Sequence, residues 1–200
     1  NRCRRQRQMC IRDRSEAKSV AKKIVSLPNA SLDDWLNYGF LLLEMGDAEE
    51  ALVAFDCILA EDIEHGDAYF GRGRAAIILK KFDVANTAFA QAVHFAPNDA
   101  EAKFYYAKVM HELNNDPQSI RLLYEATKID SDSLEAYCDL GCLLADSGNL
   151  AESKRAYEKA VLTDPSCAIA LNGLGTIQVS LGNIKFCLLY TSPSPRDTRE

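Results

Sequence analysis

Few residues in this sequence have the type and spacing that enzyme chemistry needs. His65, His94 and His111 lie in different parts of the chain, and no catalytic motif includes any of them. Cys138 and Cys142 are four residues apart, a spacing at which two thiolates on one helix face could bind a metal ion, but no second pair of ligands completes a site. We therefore interpret these cysteines as small residues lining a helix. The sequence predicts no catalytic residue, no metal and no cofactor.

The elements that would position any functional residue repeat every 34 residues. The predicted copies are 32–65, 66–99, 100–133 and 134–167, with partial copies at 15–31 and 168–186. In each copy, apolar residues recur at steps of three and four over two successive stretches, which indicates a pair of amphipathic helices. The clearest copy, 134–167, carries its bulky and small residues at Tyr137, Leu140, Gly141, Leu144, Gly148, Tyr157, Ala160 and Pro165.

Small residues at fixed places in each copy predict close packing of its two helices. Glycine or alanine at the eighth, 20th and 27th residues lets the helices approach, and large residues beside them fill the remaining space. Ile58 replaces a small residue at the 27th residue, Ser119 and Ser153 replace alanine at the 20th residue, and we expect local adjustments of the packing there.

Capping residues mark the helix ends in the first complete copy. Ser31 and Asp34 have the spacing of a capping box, in which each side chain accepts a hydrogen bond from the other residue's backbone N–H group. Gly46 is placed to end the first helix in a left-handed turn. Asp47 and Glu50 have the spacing to cap the second helix in the same way.

The pattern resembles the tetratricopeptide repeat, a 34-residue helix–turn–helix unit. The resemblance extends from residue 15 to residue 183 and rests on four consecutive copies in unbroken register. It implies an all-α fold, a right-handed α-solenoid of antiparallel helix pairs. Pentatricopeptide RNA-binding repeats are the nearest alternative, but their period differs by one residue and the acidic charge of this chain argues against them.

The resemblance also implies a binding groove, because repeats of this family bind partners along the concave line of their first helices. The residues on this line that could contact a peptide are Asn37, Phe40, Phe70, Arg74, Phe104, Tyr105, Lys108 and His111. Arg74 and Lys108 hold equivalent positions in adjacent copies, so together they could bind an acidic side chain. The aromatic residues could contact apolar parts of the same ligand.

A structural explanation of these residues stays open beside the functional one. Aromatic residues at helical spacing are often part of the core between repeats, and the two cations could balance an acidic surface. Family members that bind chaperone C-termini carry a clamp of lysine, asparagine and arginine, whereas Leu36, Phe40 and Glu101 stand at clamp positions here. The expected ligand is therefore an extended or helical peptide with apolar anchors and one acidic group.

The two termini do not fit the repeat pattern, and we interpret them as non-native. Residues 1–14 and 187–200 resemble translated sequencing adapters from opposite ends of a fragment. The codons TGT CTC TTA TAC ACA TCT encode Cys187–Ser192, and their reverse complement, read one frame over, encodes Met9–Asp13. Unrelated protein termini would rarely be antisense to each other. We therefore expect the native sequence to cover residues 15–186.

Charge argues against nucleic acid as a ligand. The 200-residue chain has a net charge of −6, but the two terminal segments hold eight basic and three acidic residues, so residues 15–186 carry −11. Such a chain repels a phosphate backbone. No run of about 18 apolar residues is present, so the sequence predicts no membrane span. The expected partner is a protein or peptide.

The cysteines outside the two termini favour a reducing compartment. Cys57, Cys138, Cys142 and Cys167 do not have the spacing of a secreted disulfide framework. We therefore expect a cytoplasmic location.

Three functions follow from the resemblance. The preferred one is a non-catalytic scaffold for protein–protein interaction. The alternative is the substrate-recruiting repeat region of a longer enzyme such as a glycosyltransferase. A third is an assembly subunit whose repeats self-associate.

Overall fold

The computed structural model describes residue 16, residues 18–27 and residues 29–180. The segments interpreted as adapters, 1–14 and 187–200, lie outside the described residues. The described part of the chain is helical and contains no strand. It divides into two compact units, unit 1 (Asn1–Asn114) and unit 2 (Asn115–Glu200). Within the described ranges, no helix combines the length and the apolar character needed to cross a membrane.

The helices reproduce the sequence period. After a helical segment at 18–25, unit 1 contains α1 (Leu32–Met45), α2 (Ala48–Glu61), α3 (Gly66–Ile78), α4 (Phe82–Phe95) and α5 (Ala100–Glu112). Unit 2 contains α6 (Asp116–Ile129), α7 (Leu134–Asp146), α8 (Leu150–Thr163) and α9 (Ala168–Ser180). The first helices of successive pairs, α1, α3, α5, α7 and α9, begin 34 residues apart.

Within each unit the helices stack in chain order. In unit 1 each helix from α1 to α5 packs on the next, and the first helices also touch, α1 on α3 and α3 on α5. In unit 2 each helix from α6 to α9 packs on the next, and α7 also touches α9. Within each unit the packed helices bury apolar surface against one another, so stability is distributed over the helices and their interfaces. This is the all-α solenoid that the sequence predicts.

A buried aromatic ring between two glycines joins successive repeats in unit 1. Phe55 of α2 is fully buried. A Cβ atom added at Gly39 of α1 would lie 2.7 Å from its ring, and one added at Gly71 of α3 would lie 2.3 Å from it. Side chains at either glycine would therefore occupy the space of the ring. Both glycines lie within helices, so their backbone conformation is one that any residue can adopt. Glycine is needed at these two positions because it has no side chain to occupy the space of the ring.

The same arrangement occurs in unit 2. Tyr157 of α8 lies against Gly141 of α7 and Gly173 of α9, where added Cβ atoms would come within 2.8 and 2.4 Å of the ring. Ser153, one of the two serines expected to adjust the packing, is fully buried, and its Oγ donates a hydrogen bond to the Gly141 carbonyl oxygen at 2.6 Å. The packing therefore accommodates this buried polar side chain by providing its hydroxyl group with an internal hydrogen-bond acceptor.

Two of the three capping features predicted for the first complete copy are present. The Asp34 N–H group donates to Ser31 Oγ at 3.2 Å, and the Ser31 N–H group donates to Asp34 Oδ2 at 2.9 Å, which completes the capping box. Gly46 ends α1 with a φ of 85°, a left-handed conformation that glycine adopts without strain.

The prediction that Asp47 and Glu50 cap α2 is wrong, because both carboxylates have stronger partners. Asp47 makes no side-chain cap hydrogen bond, and it pairs instead with Lys18 of the preceding helical segment. Glu50 Oε2 lies 2.8 Å from Lys18 Nζ, and Glu50 Oε1 accepts a hydrogen bond from the Tyr38 hydroxyl at 2.5 Å. The hydrogen bond from Lys18 and, to a smaller extent, the one from Tyr38 lower the pKa of Glu50 to about 2. Charge-assisted bonds of this kind are stronger than a bond to a neutral N–H group.

Candidate functional site

All eight residues predicted to line a groove lie on the first helices of unit 1. Asn37 and Phe40 lie on α1, and Phe70 and Arg74 lie on α3. The remaining four, Phe104, Tyr105, Lys108 and His111, lie on α5. Because α3 touches both α1 and α5, these residues belong to adjacent helices of one unit.

Phe70 forms the centre of an aromatic cluster, and most of its ring is core. Its side chain is 9% exposed, and its ring centroid lies 6.0 Å from that of Phe89 in an edge-to-face arrangement. Phe40 is half-buried, 5.3 Å from Phe55 and 6.4 Å from Phe70. The structural explanation is therefore correct for Phe70, whereas Phe40 combines a contact with the core and an accessible surface.

Tyr105 continues the cluster toward α5. Its ring stacks on Phe89 at 6.1 Å with an interplanar angle of 7°, and it meets Phe70 edge-to-face at 5.8 Å. Phe104 lies 5.5 Å from Tyr105, again edge-to-face, and both residues are half-buried. Edge-to-face and stacked pairs at these distances are favourable. The cluster therefore gives unit 1 a continuous apolar floor with its rings held in place.

The two cations predicted to act together each lie on an aromatic face. The Arg74 guanidinium carbon lies 5.7 Å from the Phe70 ring centroid and 5.5 Å from that of Tyr105. Lys108 Nζ lies 5.1 Å from the Phe104 ring centroid. Cation–π contacts at such sites contribute about 0.5–1 kcal/mol each. They fix the position of each charge while leaving its N–H groups available to a carboxylate.

The remaining predicted residues lie at the surface. Asn37, Lys108 and His111 are exposed, and Arg74 is half-exposed. The arrangement thus combines an apolar aromatic floor, two cations in adjacent repeats and exposed polar side chains. Chemically it can bind an apolar side chain beside an anionic one. Phe55 and Phe89 support the floor from the second helices α2 and α4.

Unit 2 contains a thiol contact that sequence spacing did not reveal. The Sγ atoms of Cys138 and Cys167 are 3.7 Å apart, although the residues are separated by 29 positions. Burial, and then the neighbouring thiol of Cys167, raise the pKa of Cys138 to about 12. Among the described residues, no group of three or more histidine, cysteine, aspartate or glutamate side chains is placed to bind a metal ion.

A sequence model of the family described as tetratricopeptide repeat matches residues 79–133 and 138–185, which is just over half of the chain. The chain belongs to the tetratricopeptide repeat (TPR) family. The TPR fold supports a role as a scaffold for protein–protein interaction, and TPR relatives are typically non-enzymatic scaffolds.

Curated relatives share the repeats at low identity. The small glutamine-rich tetratricopeptide repeat-containing protein 2 of Mycosarcoma maydis is 28% identical over 123 residues, covering 62% of this chain and 35% of the relative. Protein FlbA of Caulobacter vibrioides is 23% identical over 178 residues, covering 89% of this chain and 30% of the relative. The chain thus spans about a third of the length of these relatives.

Solved TPR structures share the fold. YrrB, described as a TPR protein with an unusual peptide-binding site, superposes with a TM-score of 0.73 at 21% identity, covering 84% of this chain and 87% of YrrB. MamA superposes with a TM-score of 0.73 at 19% identity, covering 80% of this chain and 87% of MamA. At such identities the similarity concerns the fold alone.

Proposed function

We propose that the first helices of unit 1 bind a segment of a partner protein that carries apolar side chains and at least one carboxylate. The observation that carries this proposal is the pair Arg74 and Lys108, each held on an aromatic face one repeat apart above a continuous apolar floor. The relative from Mycosarcoma maydis and the structural neighbour YrrB are TPR proteins, and YrrB has a peptide-binding site.

The apolar part of the proposed ligand would contact the accessible edges of the cluster. Phe40, Phe104 and Tyr105 are half-buried, so each ring has one surface in the core and another that a ligand can cover. Their ring contacts restrict movement before binding. Binding to rigid side chains costs less conformational entropy than binding to flexible ones, which favours affinity from a small contact area.

The acidic part of the proposed ligand would lie at Arg74. A guanidinium group binds a carboxylate through two parallel hydrogen bonds, and its contacts with the Phe70 and Tyr105 rings orient the group. Lys108, which occupies the equivalent place in the next repeat, adds a second positive charge. A polyanion such as nucleic acid fits less well, because residues 15–186 carry a net charge of −11.

Peptide selection on the full chain tests the proposal. A library of random peptides of about ten residues displayed on phage is selected for binding, and the enriched peptides are synthesised and measured by fluorescence polarisation. We expect enrichment of aromatic or aliphatic residues together with aspartate or glutamate. The double variant Arg74→Gln/Lys108→Gln should bind these peptides about tenfold or more weakly, because two charge-assisted contacts are lost.

The matched control is Lys81→Gln, which removes one exposed positive charge from the turn between α3 and α4. Its affinity should stay within about twofold of the unaltered chain, because surface charges away from a contact have small effects. Circular dichroism checks that each variant retains its helices. Enrichment without acidic residues, or equal binding by the double variant, would contradict the proposal.

A further inference from the structure

Unit 2 contains a cleft on its second helices that gathers most of the basic side chains of residues 115–180. The cleft lies between α6 and α8 over a floor from α7, with a volume of about 700 Å³. Its rim carries Arg121 and Lys128 of α6 and Arg155 and Lys159 of α8. The apolar side chain of Leu140 contributes to its floor. The volume lies within the range of ligand-binding clefts.

The four basic side chains of the cleft lie together in a segment whose net charge is negative. Residues 115–180 contain ten acidic and five basic residues, a net charge of −5. Four of those five basic residues line the cleft, and the fifth, Lys154, does not line it. Two glutamates, Glu125 and Glu152, also line the cleft, so the six charged side chains carry a net charge of +2. Residues 115–180 are therefore acidic overall, whereas the side chains that line this cleft carry a net positive charge.

The carboxylates within the cleft leave positive charge available. The Tyr124 hydroxyl of α6 donates a hydrogen bond to Glu152 Oε2 of α8 at 2.6 Å, which links the two walls of the cleft. Glu125 Oε1 lies 3.8 Å from Arg121 Nε, a weak contact between side chains four residues apart on one helix. The Arg121 side chain is 66% exposed, and Lys128, Arg155 and Lys159 are exposed.

The two arginines are placed one repeat apart. Arg121 and Arg155 are separated by 34 residues, so they hold the same position on the second helices of successive repeats. Each guanidinium can bind a carboxylate through two hydrogen bonds. A ligand with acidic groups on both sides of an apolar side chain would match the two arginines and the floor between them.

We propose that this cleft docks an acidic segment of a partner protein, with carboxylates against Arg121 and Arg155 and an apolar side chain over Leu140. Charge complementarity decides the class of ligand. A protein segment can confine its negative charge to the cleft, whereas a nucleic acid would extend phosphates over the ten acidic side chains of residues 115–180. The cleft involves second helices of unit 2 and is independent of the first-helix site proposed in unit 1.

Direct binding to a defined peptide tests this assignment. The probe is a fluorescein-labelled peptide of about twelve residues built from Glu-Leu-Glu-Phe units, and the uncharged control peptide replaces each glutamate with glutamine. We expect the full chain to bind the acidic peptide about tenfold or more tightly than the control peptide. Raising the salt concentration should weaken binding of the acidic peptide, because exposed charges are screened.

Charge-reversal variants assign binding to the cleft. The double variant Arg121→Glu/Arg155→Glu should lose about tenfold or more of the affinity. The single variants Arg155→Glu and Lys154→Glu form a matched pair, because they make the same change of charge at adjacent positions of α8, inside and outside the cleft. Arg155→Glu should weaken binding, and Lys154→Glu should leave it within about twofold. All these side chains are substantially exposed, so folding should be retained, and thermal unfolding checks this.

Several outcomes would overturn the assignment. Equal losses for Arg155→Glu and Lys154→Glu would show attraction by net charge alone. Preferential binding of a twelve-nucleotide single-stranded DNA over the acidic peptide would identify the wrong class of ligand. Loss of acidic-peptide binding in Arg74→Gln/Lys108→Gln, with binding unchanged in Arg121→Glu/Arg155→Glu, would place the peptide on unit 1. Failure of the first-helix proposal leaves these measurements unaffected, since they use different residues.

Discussion

Units 1 and 2 use the same internal packing but present different residues at the corresponding surface. In unit 1, α5 carries Phe104, Tyr105 and Lys108. The residues 34 positions later on α7 of unit 2 are Cys138, Asp139 and Cys142. The aromatic and cationic surface of unit 1 is thus replaced by thiols and a carboxylate, and the basic residues of 115–180 lie on second helices instead.

The interior varies much less between the two units. Phe55 lies between Gly39 and Gly71 in unit 1, as Tyr157 lies between two glycines in unit 2. A close-packed interior accommodates few combinations of side chains without steric overlap, whereas a solvated surface accommodates many. The repeat period therefore specifies how helices pack, and the choice of surface residues gives each unit its own surface chemistry.

The largest predicted effect tests whether both units depend equally on the buried ring. Gly71→Ala and Gly173→Ala should each lower the free energy of unfolding by about 2 kcal/mol. Overpacking of the core destabilises the fold by more than the higher helix propensity of alanine stabilises it. The added Cβ atoms would lie 2.3 and 2.4 Å from the Phe55 and Tyr157 rings. Hydrogen exchange measured by mass spectrometry, with peptides assigned to each unit, gives the loss of protection in the altered unit.

Gly66→Ala is the control for this prediction, since its Cβ atom would meet the nearest atom, Phe95 Cβ, at an ordinary 3.5 Å. It lies on the same helix as Gly71 and should be neutral or slightly stabilising. Equal stability of Gly71→Ala and Gly66→Ala would show that the ring is not confined in unit 1. A loss for Gly71→Ala without one for Gly173→Ala would break the similarity between the units.

A smaller effect concerns the ionic contact of Lys18 with Glu50 in unit 1. Glu50→Gln should destabilise the chain by about 1 kcal/mol at pH 7, a value limited by solvent screening because the Glu50 side chain is 36% exposed. Lys18 and Tyr38 lower the Glu50 pKa from 4.5 to about 2. A lowered pKa stabilises the folded chain above pH 4.5, and this contribution is lost as the pH falls from 4.5 to about 2.

Urea unfolding of the unaltered chain and Glu50→Gln between pH 2 and pH 7 measures this contribution. The difference in stability should shrink as the pH falls. Tyr38→Phe retains Lys18, the larger cause of the pKa shift, so part of the pH dependence should remain in that variant. A constant difference between the unaltered chain and Glu50→Gln across the whole range would rule out the ionic contact as its cause.

The smallest effect tests a polar contact of the interior of unit 2. Ser153→Ala should cost less than about 1 kcal/mol, because the Gly141 carbonyl loses one donor while the helix remains intact. The corresponding residue in unit 1 is Ala85, which is fully buried. Ala85→Ser should also change stability by less than about 1 kcal/mol if its hydroxyl donates to the Gly73 carbonyl, as Ser153 donates to that of Gly141.

Thermal unfolding compares these two variants with the unaltered chain. A loss of several kcal/mol for Ala85→Ser would show that unit 1 cannot accept the hydroxyl. The interiors of the two units would then differ more than their shared glycines indicate.

The sequence predicted the fold well because repeated local patterns specify helix pairs. Apolar spacing, the Ser31–Asp34 capping box and Gly46 were readable from short segments, since each acts within about one or two helical turns. The candidate site was only partly readable. Its eight residues fall on three successive first helices, of which α3 contacts both α1 and α5, but the sequence left open which aromatic rings belong to the core.

Contacts between distant segments account for what the sequence did not predict. Lys18 approaches Asp47 and Glu50 from the preceding helical segment, which displaced the expected cap. Cys138 meets Cys167 across 29 residues. The spacing of the charged residues in the sequence gave no sign that four of the five cations in residues 115–180 share one cleft.

The repeat period, the helix pairs and the residues carried by each first helix follow from the amino-acid sequence alone. Only the packing of the helices shows that Phe70 is buried, that Arg74 lies over two rings and that the Arg121 and Arg155 side chains line one recess. The two kinds of feature differ in how far apart along the sequence the interacting residues lie. Helix formation and capping depend on neighbours a few residues away, whereas burial and charge pairing depend on which helices pack together.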